Sequence, residues 1–304
     1  MLSFVFPGQG SQYAGMGKDL AENFAIARQT FEEADQALGL SLSRLCFDGP
    51  EEDLKLTENT QPAILATSVA ALRVLLQERG LAADYVAGHS LGEFSALVCA
   101  GGMDFADALR TVRRRGQLMQ QAVPVGEGAM AAIIGLEADA VENVCALAAD
   151  GQVVAPANFN SPGQIVIAGN TQAVDRAIAL AKEKGAKRAL PLPVSAPFHC
   201  ALMEPAGRGL DEVLAGLTFG SLRIPVVTNV EARSNDRTER IRELLVTQVS
   251  APVRWQESVE FMAKQGVSRM IEIGPGKVLS GLIKRIAKNV EVGNLEDTGG
   301  LQKL

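Results

Sequence analysis

One stretch of the chain constrains the fold more than any other, the run VAGHSLGEFSAL at residues 86–97. An apolar segment leads into Gly-His-Ser-Leu-Gly, and a second apolar segment follows it. The pattern G-x-S-x-G between a strand and a helix is typical of a sharp turn that projects a serine above a sheet. Gly88 and Gly92 lack the Cβ atoms that would clash there. The stretch predicts a nucleophile, Ser90, against the alternative of a glycine-rich connection with an incidental serine.

A serine nucleophile needs a base, and the chain has only two histidines. His89 adjoins Ser90, and neighbouring side chains in such a turn point apart. His199, in the run PVSAPFHCALM, lies where a loop meets a helix. We therefore predict that His199 is the base, although a histidine that only caps or packs is the alternative.

The third member of a triad is not defined by the sequence. An α/β-hydrolase places its acid between the serine and the histidine and its histidine last. Here the predicted base precedes most of the C-terminal strands, so the order differs from that fold. A carbonyl oxygen can also accept the Nδ1–H of an imidazole and fix its tautomer, so the orienting group need not be a carboxylate.

Composition excludes several classes of protein. The chain has 304 residues, of which 47% are hydrophobic, enough for a large core in one or two domains. The net charge of −6 argues against nucleic acid as the main partner. We expect no signal peptide, because the N-terminus has no basic region and its apolar run ends at Pro7. We expect no membrane span, because no apolar run reaches about 18 residues. The four cysteines are scattered without a CxxC pair, so we expect no metal site, no disulfide framework and a cytoplasmic location.

Most of the chain alternates between strand and helix patterns. Strands are predicted at residues 2–6, 84–90, 224–229, 269–274 and 290–295. Helices are predicted at residues 61–80, 91–102, 105–123, 201–217, 240–250, 255–266 and 276–288. This alternation indicates an α/β fold with a mainly parallel sheet covered on both faces. We assign residues 1–125 and 198–304 to one large, α/β-hydrolase-like catalytic domain.

The middle of the chain has a different order of elements. Strands are predicted at residues 128–136, 152–160, 163–169 and 186–194, and helices at residues 137–150 and 171–185. The order β-α-β-β-α-β is the ferredoxin-like pattern. We therefore predict a smaller ferredoxin-like domain at residues 126–197, inserted into the large one.

Three consecutive arginines lie on the predicted helix at 105–123. At about 100° per residue, Arg114 points away from the apolar face that Phe105 and Val112 mark. Arg113 and Arg115 both flank that face, so periodicity leaves the choice between them open. An arginine is well suited to bind a carboxylate, because its planar fork donates two parallel hydrogen bonds.

Two glycine-rich runs raise the alternative of a nucleotide-binding or regulatory protein. The run GQGSQYAG after the first strand has neither the G-x-G-x-x-G spacing nor the Gly-Lys-Ser/Thr ending of a phosphate loop. The run GPGKVL at residues 274–279 lacks both spacings as well. A helix N-cap beside the end of a strand is the better interpretation of the second run.

The motifs together resemble a known family, the malonyl-CoA:acyl carrier protein transacylases. The resemblance spans residue 3 to about residue 286 and rests on these runs, in this order: FVFPGQGSQ, GHSLGE, RGQLMQ, NFNSPGQ, PFH and EIGPGKVL. The free-standing length resembles the discrete enzyme of fatty-acid synthesis. The resemblance implies that Ser90 is acylated, that His199 is its base, and that Gln248 in VTQVSAPV orients the histidine through a carbonyl group.

The resemblance also implies roles around the serine. The backbone N–H groups of Gln9 and Leu91 would form the oxyanion hole. Arg115 would bind the free carboxylate of the malonyl group. Phe198, directly before His199, would narrow the pocket and favour malonyl over branched acyl groups.

The partners implied by the resemblance are malonyl-CoA and acyl carrier protein, with no metal, no bound cofactor and no membrane. We expect a monomer. Acyl carrier proteins of this pathway are acidic, so two basic clusters are candidate docking sites, against the alternative of ordinary solvated faces. The first cluster contains Lys182, Lys184, Lys187 and Arg188, and the second contains Lys284, Arg285 and Lys288. A serine thioesterase or esterase on the same turn is the alternative function, because it differs only in letting water reach the acyl-enzyme.

Overall fold

A computed structural model of the chain describes residues 1–194 and 196–304. The strands in chain order are β1 (Leu2–Phe6), β2 (Tyr85–Gly88), β3 (Gly128–Ile134), β4 (Val154–Ser161), β5 (Gln164–Asn170), β6 (Arg188–Pro191), β7 (Val226–Val227), β8 (Ser234–Asn235), β9 (Arg269–Ile273) and β10 (Glu291–Leu295). The helices are α1 (Lys18–Asn23), α2 (Ala25–Leu38), α3 (Leu42–Asp48), α4 (Glu51–Leu54), α5 (Thr57–Arg79), α6 (Gly92–Ala100), α7 (Phe105–Gln121), α8 (Ala138–Ala148), α9 (Thr171–Glu183), α10 (Glu204–Ala215), α11 (Ile241–Ser250), α12 (Trp255–Lys264), α13 (Val278–Ile286) and α14 (Thr298–Gln302).

The larger sheet has six strands in the order β10-β9-β1-β2-β7-β8. All neighbours pair in parallel except β7 and β8, which are antiparallel. Alternate residues of β1 pack on opposite faces, with Phe4 and Phe6 in one buried cluster and Val5 in another. The mainly parallel sheet with both faces covered, predicted from the alternating pattern, is confirmed.

The smaller sheet has four antiparallel strands in the order β4-β5-β3-β6. Helices α8 and α9 pack against it through a separate apolar cluster. This is the ferredoxin-like arrangement that the element order predicts. The assigned domain boundaries, at 126 and 197, stay a prediction. Strand β4 also reaches the larger part of the protein, because Phe159 N–H donates to the Val253 carbonyl and Val253 N–H donates to the Ala157 carbonyl, both at 2.9 Å.

Helix α7 carries the three consecutive arginines. It begins after Asp104, whose side chain accepts hydrogen bonds from the backbone N–H groups of Ala106 and Asp107. Its predicted apolar face, from Phe105 to Met119, is buried. The helical spacing therefore predicted correctly which side of α7 faces the core.

Several elements of the structure differ from the predicted ones. Helices α1 to α4 and α14 and strand β8 were not predicted. Apart from α2, which has 14 residues, these elements are short, with two to seven residues each. Helix α5 begins at Thr57 and holds Pro62 inside it, whereas the sequence predicted a start at 61. Strand β7 has two residues where six were predicted. Among the described residues, no helix combines the length and apolarity that crossing a membrane requires.

Candidate active site

The turn between β2 and α6 projects Ser90 from the carboxyl edge of the larger sheet. Ser90 has a φ of 50°, which a residue with a side chain rarely adopts. A Cβ atom on Gly88 would lie 1.9 Å from the carbonyl carbon of Gly92, so the turn closes only with glycine at 88. The backbone N–H of Ser90 donates to Asn229 Oδ1 at 2.6 Å, which fixes the turn from the side of β7.

His199 meets this serine as the sequence predicted. Ser90 Oγ and His199 Nε2 are 2.7 Å apart, and His199 Nδ1 lies 2.9 Å from the backbone carbonyl oxygen of Gln248. A carbonyl oxygen only accepts, so Nδ1 carries the proton and Nε2 presents a lone pair to the Ser90 hydroxyl. The two contacts therefore select the tautomer that a general base needs.

The electrostatics keep His199 neutral. Its side chain is buried, and burial lowers its pKa to about 3, with the nearby charge of Arg115 as the second cause. The hydrogen bond to the Gln248 carbonyl acts in the opposite direction. His199 is consequently an unprotonated acceptor throughout the neutral pH range.

The structure distinguishes between the arginines that periodicity could not separate. Arg115 is 2% exposed, Arg114 is exposed and Arg113 is half-buried. The Arg115 Nη2 group donates to Ser90 Oγ at 3.2 Å and to Gln248 Oε1 at 3.0 Å.

The rest of the Arg115 guanidinium is equally well defined. Its Nη1 donates to Gln61 Oε1 at 2.9 Å, and its buried Nε has no hydrogen-bond partner among the described residues. Burial lowers the pKa of Arg115 to about 10, which still leaves it charged at pH 7. A full positive charge therefore lies beside the serine hydroxyl, with a spare donor on the same fork.

The first glycine run lies against the serine turn. Strands β1 and β2 are parallel neighbours, with Phe6 opposite Gly88, so the loop after β1 and the turn after β2 share one edge of the sheet. A Cβ atom on Gly8 would lie 2.3 Å from the backbone oxygen of His89, and this close approach excludes other residues there. Gln9 follows directly and is exposed. Its backbone N–H and that of Leu91, at the N-cap of α6, stay predicted oxyanion donors.

His89 and Phe198 have other surroundings. His89 Nε2 lies 2.8 Å from Asn160 Oδ1 on β4, so this histidine connects the serine turn to the smaller sheet. Burial lowers its pKa. Phe198 is buried and directly precedes His199, whose φ of 60° is again in the left-handed region. The role of Phe198 in selecting acyl groups stays a prediction.

Sequence analysis missed three buried residues of the site. Glu93, three residues after the serine, accepts hydrogen bonds from Gln248 Nε2 at 2.8 Å and Asn229 N–H at 3.0 Å. Its place in GHSLGE could have indicated it. Asn229 could have been found as the residue that ends the predicted strand at 224–229. Gln61 sits in the interior of α5 and carries no local signal.

The described part of the chain contains no group of three or more His, Cys, Asp or Glu side chains arranged to hold a metal ion. All four cysteines are free thiols.

Comparison with known proteins places this geometry among relatives. Residues 3–302 match the family model described as acyl transferase domain. The malonyl CoA-acyl carrier protein transacylase of Escherichia coli is 54% identical over 299 residues, which cover 98% of this chain and 97% of that protein.

Two solved structures share the fold. The acyl carrier protein S-malonyltransferase of Vibrio cholerae superposes with a TM-score of 0.97 at 56% identity, with 99% of each chain covered. A malonyl-transacylase solved in complex with a type II PKS acyl-carrier protein has a TM-score of 0.97 at 53% identity, covering 99% of this chain and 98% of that one.

Proposed function

The chain belongs to the acyl transferase domain family, and on that premise we propose that it transfers a malonyl group from malonyl-CoA to the phosphopantetheine thiol of acyl carrier protein, the step that supplies fatty-acid biosynthesis. One observation carries the proposal. Ser90 Oγ contacts both His199 Nε2, at 2.7 Å, and Arg115 Nη2, at 3.2 Å. A nucleophile with a base on one side and a buried cation on the other suits an acyl group that carries its own carboxylate.

The first half of the reaction makes a malonyl ester of Ser90. His199 Nε2 accepts the hydroxyl proton as Ser90 Oγ attacks the thioester carbon. The negative charge that develops on the acyl oxygen is stabilised by the N–H groups of Leu91 and Gln9 at the N-terminus of α6 and in the first glycine loop. The carbon–sulfur bond breaks, and His199 returns its proton to the departing CoA thiolate.

The second half repeats these steps with a different thiol. The phosphopantetheine thiol gives its proton to His199, its sulfur attacks the ester carbon, and Ser90 leaves with the proton returned. The same base and the same oxyanion donors act twice, so the kinetics are ping-pong. We propose that no metal and no bound cofactor take part, because backbone N–H groups would hold the oxyanion and Arg115 would hold the malonyl carboxylate.

The family relationship also bears on the second substrate that we propose. The relative solved with an acyl-carrier protein supports a carrier protein as the second substrate. Lys284 and Arg285 of the second basic cluster are exposed at the end of α13, and Arg285 reaches Gln164 on β5 at 2.8 Å. We propose a monomer acting in the cytoplasm, with an acidic carrier protein docked on one of the two basic clusters.

The test is intact-protein mass spectrometry after mixing with malonyl-CoA. The wild-type chain should gain the mass of one malonyl group, and Ser90→Ala should gain none. Adding acyl carrier protein should move the label to its phosphopantetheine arm. Release of the label as free malonate, at the same rate with and without carrier protein, would identify a thioesterase instead.

A further inference from the structure

Glu93 is buried in the first turn of α6, with 2% of its surface exposed. A buried carboxylate is costly unless hydrogen bonds or an opposite charge compensate for the lost water. Its oxygen Oε2 accepts from two donors, the side-chain Nε2 of Gln248 at 2.8 Å and the backbone N–H of Asn229 at 3.0 Å.

Both donors are themselves bonded to the reacting groups. Gln248 accepts the His199 Nδ1–H on its backbone oxygen and the Arg115 Nη2–H on Oε1. Asn229 accepts the backbone N–H of Ser90. Glu93 is thus one hydrogen bond removed from a contact to each of the base, the cation and the serine turn.

The charge on Glu93 has one counter-charge nearby. The guanidinium of Arg115, the side-chain amide of Gln248 and the carboxylate of Glu93 form a line in which the amide accepts from the cation and donates to the anion. Burial raises the pKa of Glu93 to about 7, and Arg115 is the one charge that opposes this shift. Glu93 in turn raises the pKa of Arg115.

The elements packed around Glu93 contribute no second charge. Strands β1 and β7 consist of uncharged residues, and β2 adds only Tyr85, at its far end. Helix α5 carries four charged residues, Glu58, Arg73, Glu78 and Arg79, whose partners are Gln117, Glu33, Gln77 and the Leu301 carbonyl oxygen. Helix α7 carries Asp107, Arg110, Arg113 and Arg114 besides Arg115, but Arg115 is the one charge that shifts the pKa of Glu93. Helix α11 presents Gln248 and apolar side chains, and His199 is neutral.

We propose that Glu93 is a positioning residue that balances Arg115 in the free enzyme, and that the malonyl carboxylate takes over this role, so that Glu93 takes up a proton from solvent when malonyl-CoA binds. The inference rests on the proposed function. Two carboxylates that share one buried guanidinium repel each other, so ionisation of one disfavours ionisation of the other. Arg115 has two donors for the malonyl carboxylate, the unpartnered Nε and the Nη2 hydrogen that contacts Ser90 Oγ in the free protein.

The experiment measures proton uptake by calorimetry with Ser90→Ala, which binds malonyl-CoA without being acylated. Titrations at pH 7.5 in buffers of different ionisation enthalpy give the number of protons bound. If Glu93 is protonated in the complex, the uptake should be about 0.75 proton, the fraction of Glu93 that is ionised at pH 7.5 when its pKa is about 7. Acetyl-CoA, which lacks the carboxylate, should give no such uptake and corrects for protons on CoA itself.

The same linkage sets the pH dependence of binding. The dissociation constant for malonyl-CoA should rise about tenfold from pH 6 to pH 8, because binding then requires a proton that the free carboxylate has lost. Acetyl-CoA should bind equally at both pH values. These two measurements need no change at Glu93, so they stand even if a variant at that position does not fold.

Two further variants separate charge from structure. Ser90→Ala/Glu93→Gln keeps a side-chain oxygen for both donors but removes the charge, and it should show neither proton uptake nor the tenfold pH effect. Ser90→Ala/Glu272→Gln is the matched control. Glu272 is an equally buried carboxylate whose pKa burial also raises, but it accepts from Leu279 and Ser280 N–H on α13. It should behave like Ser90→Ala.

Two results would overturn this inference and leave the proposed function standing. One is an equal number of protons taken up with malonyl-CoA and with acetyl-CoA, and the other is proton uptake that persists in the Glu93→Gln variant. Failure of malonyl-CoA to bind Ser90→Ala or to label the wild-type serine would overturn the proposed function with it. If the role of Glu93 were purely structural, the Glu93→Gln variant would bind both CoA esters more weakly at all pH values.

Discussion

Arg115→Met tests the acyl specificity of the site. Methionine keeps an unbranched side chain and removes the charge and all five donors. Two charge-assisted hydrogen bonds from a buried guanidinium to a carboxylate contribute about 1.5–3 kcal/mol each. Their loss amounts to roughly 3–6 kcal/mol, and about 1.4 kcal/mol corresponds to tenfold in rate. The kcat/KM for loading of malonyl from malonyl-CoA should therefore fall roughly 10²- to 10⁴-fold.

Loading of acetyl should respond differently. Removing Arg115 leaves Gln61 Oε1 and Gln248 Oε1 without their donor, a loss that affects every acyl group alike. An acetyl group has no carboxylate to pair, so it makes no hydrogen bond to the guanidinium that this substitution could remove. Acetyl loading should thus fall much less than malonyl loading, and the ratio between the two is the informative quantity.

The assay follows formation of the acyl-enzyme by rapid quench and intact mass, with malonyl-CoA and acetyl-CoA at several concentrations. Arg114→Met is the matched control, because Arg114 is exposed on the same helix and should leave both rates unchanged. A parallel fall for both acyl groups would show that Arg115 serves the architecture and not the substrate. Undiminished malonyl loading would remove the carboxylate-binding role altogether.

Three further outcomes follow from the same contacts. Gln248→Glu places a negative charge beside Arg115 and should weaken malonyl loading more than acetyl loading, whereas equal losses would contradict the electrostatic reason. The pH profile of acetyl loading should be flat above about pH 5, because the pKa of His199 is about 3 and the neutral form is the base. In Arg115→Met, the loss of acetyl loading at low pH should begin at a higher pH, because the Arg115 charge that lowers the pKa of His199 is gone. An acid limb at the same pH as in the wild type would refute this electrostatic effect. Lys284→Glu with Arg285→Glu should raise the KM for acyl carrier protein and leave that for malonyl-CoA unchanged, and an unchanged KM for the carrier would discard this docking patch.

Local patterns were sufficient to predict much of the fold and part of the site. The turn at Ser90 could be predicted because its glycines are a steric requirement within five residues. The two-histidine count made His199 the candidate base, and helical spacing excluded Arg114. Each of these inferences depends on residues close in sequence or on a short list of alternatives, where single-chain reasoning is strongest.

The site residues that the sequence did not predict join the site through contacts between segments that are distant in sequence. Gln61 meets Arg115 because α5 and α7 cross closely, and a Cβ on Gly116 would lie 2.7 Å from the Thr57 carbonyl oxygen. Asn229 follows the two-residue strand β7, and its side chain accepts the backbone N–H of Ser90. No local periodicity predicts these contacts, because they form only when the folded sheet brings the ends of its strands together.

The orienting group of His199 shows how the site manages negative charge. A carboxylate at Nδ1 would stabilise the imidazolium, but it would also lie beside the carboxylate of a malonyl group, and a neutral backbone carbonyl at 2.9 Å avoids that repulsion. The site nevertheless holds one acid, Glu93, behind the amide of Gln248. With a pKa raised to about 7, this acid can exist in either form near neutrality. A carboxylate that can be protonated repels an anionic substrate less than a fixed anion at Nδ1 would.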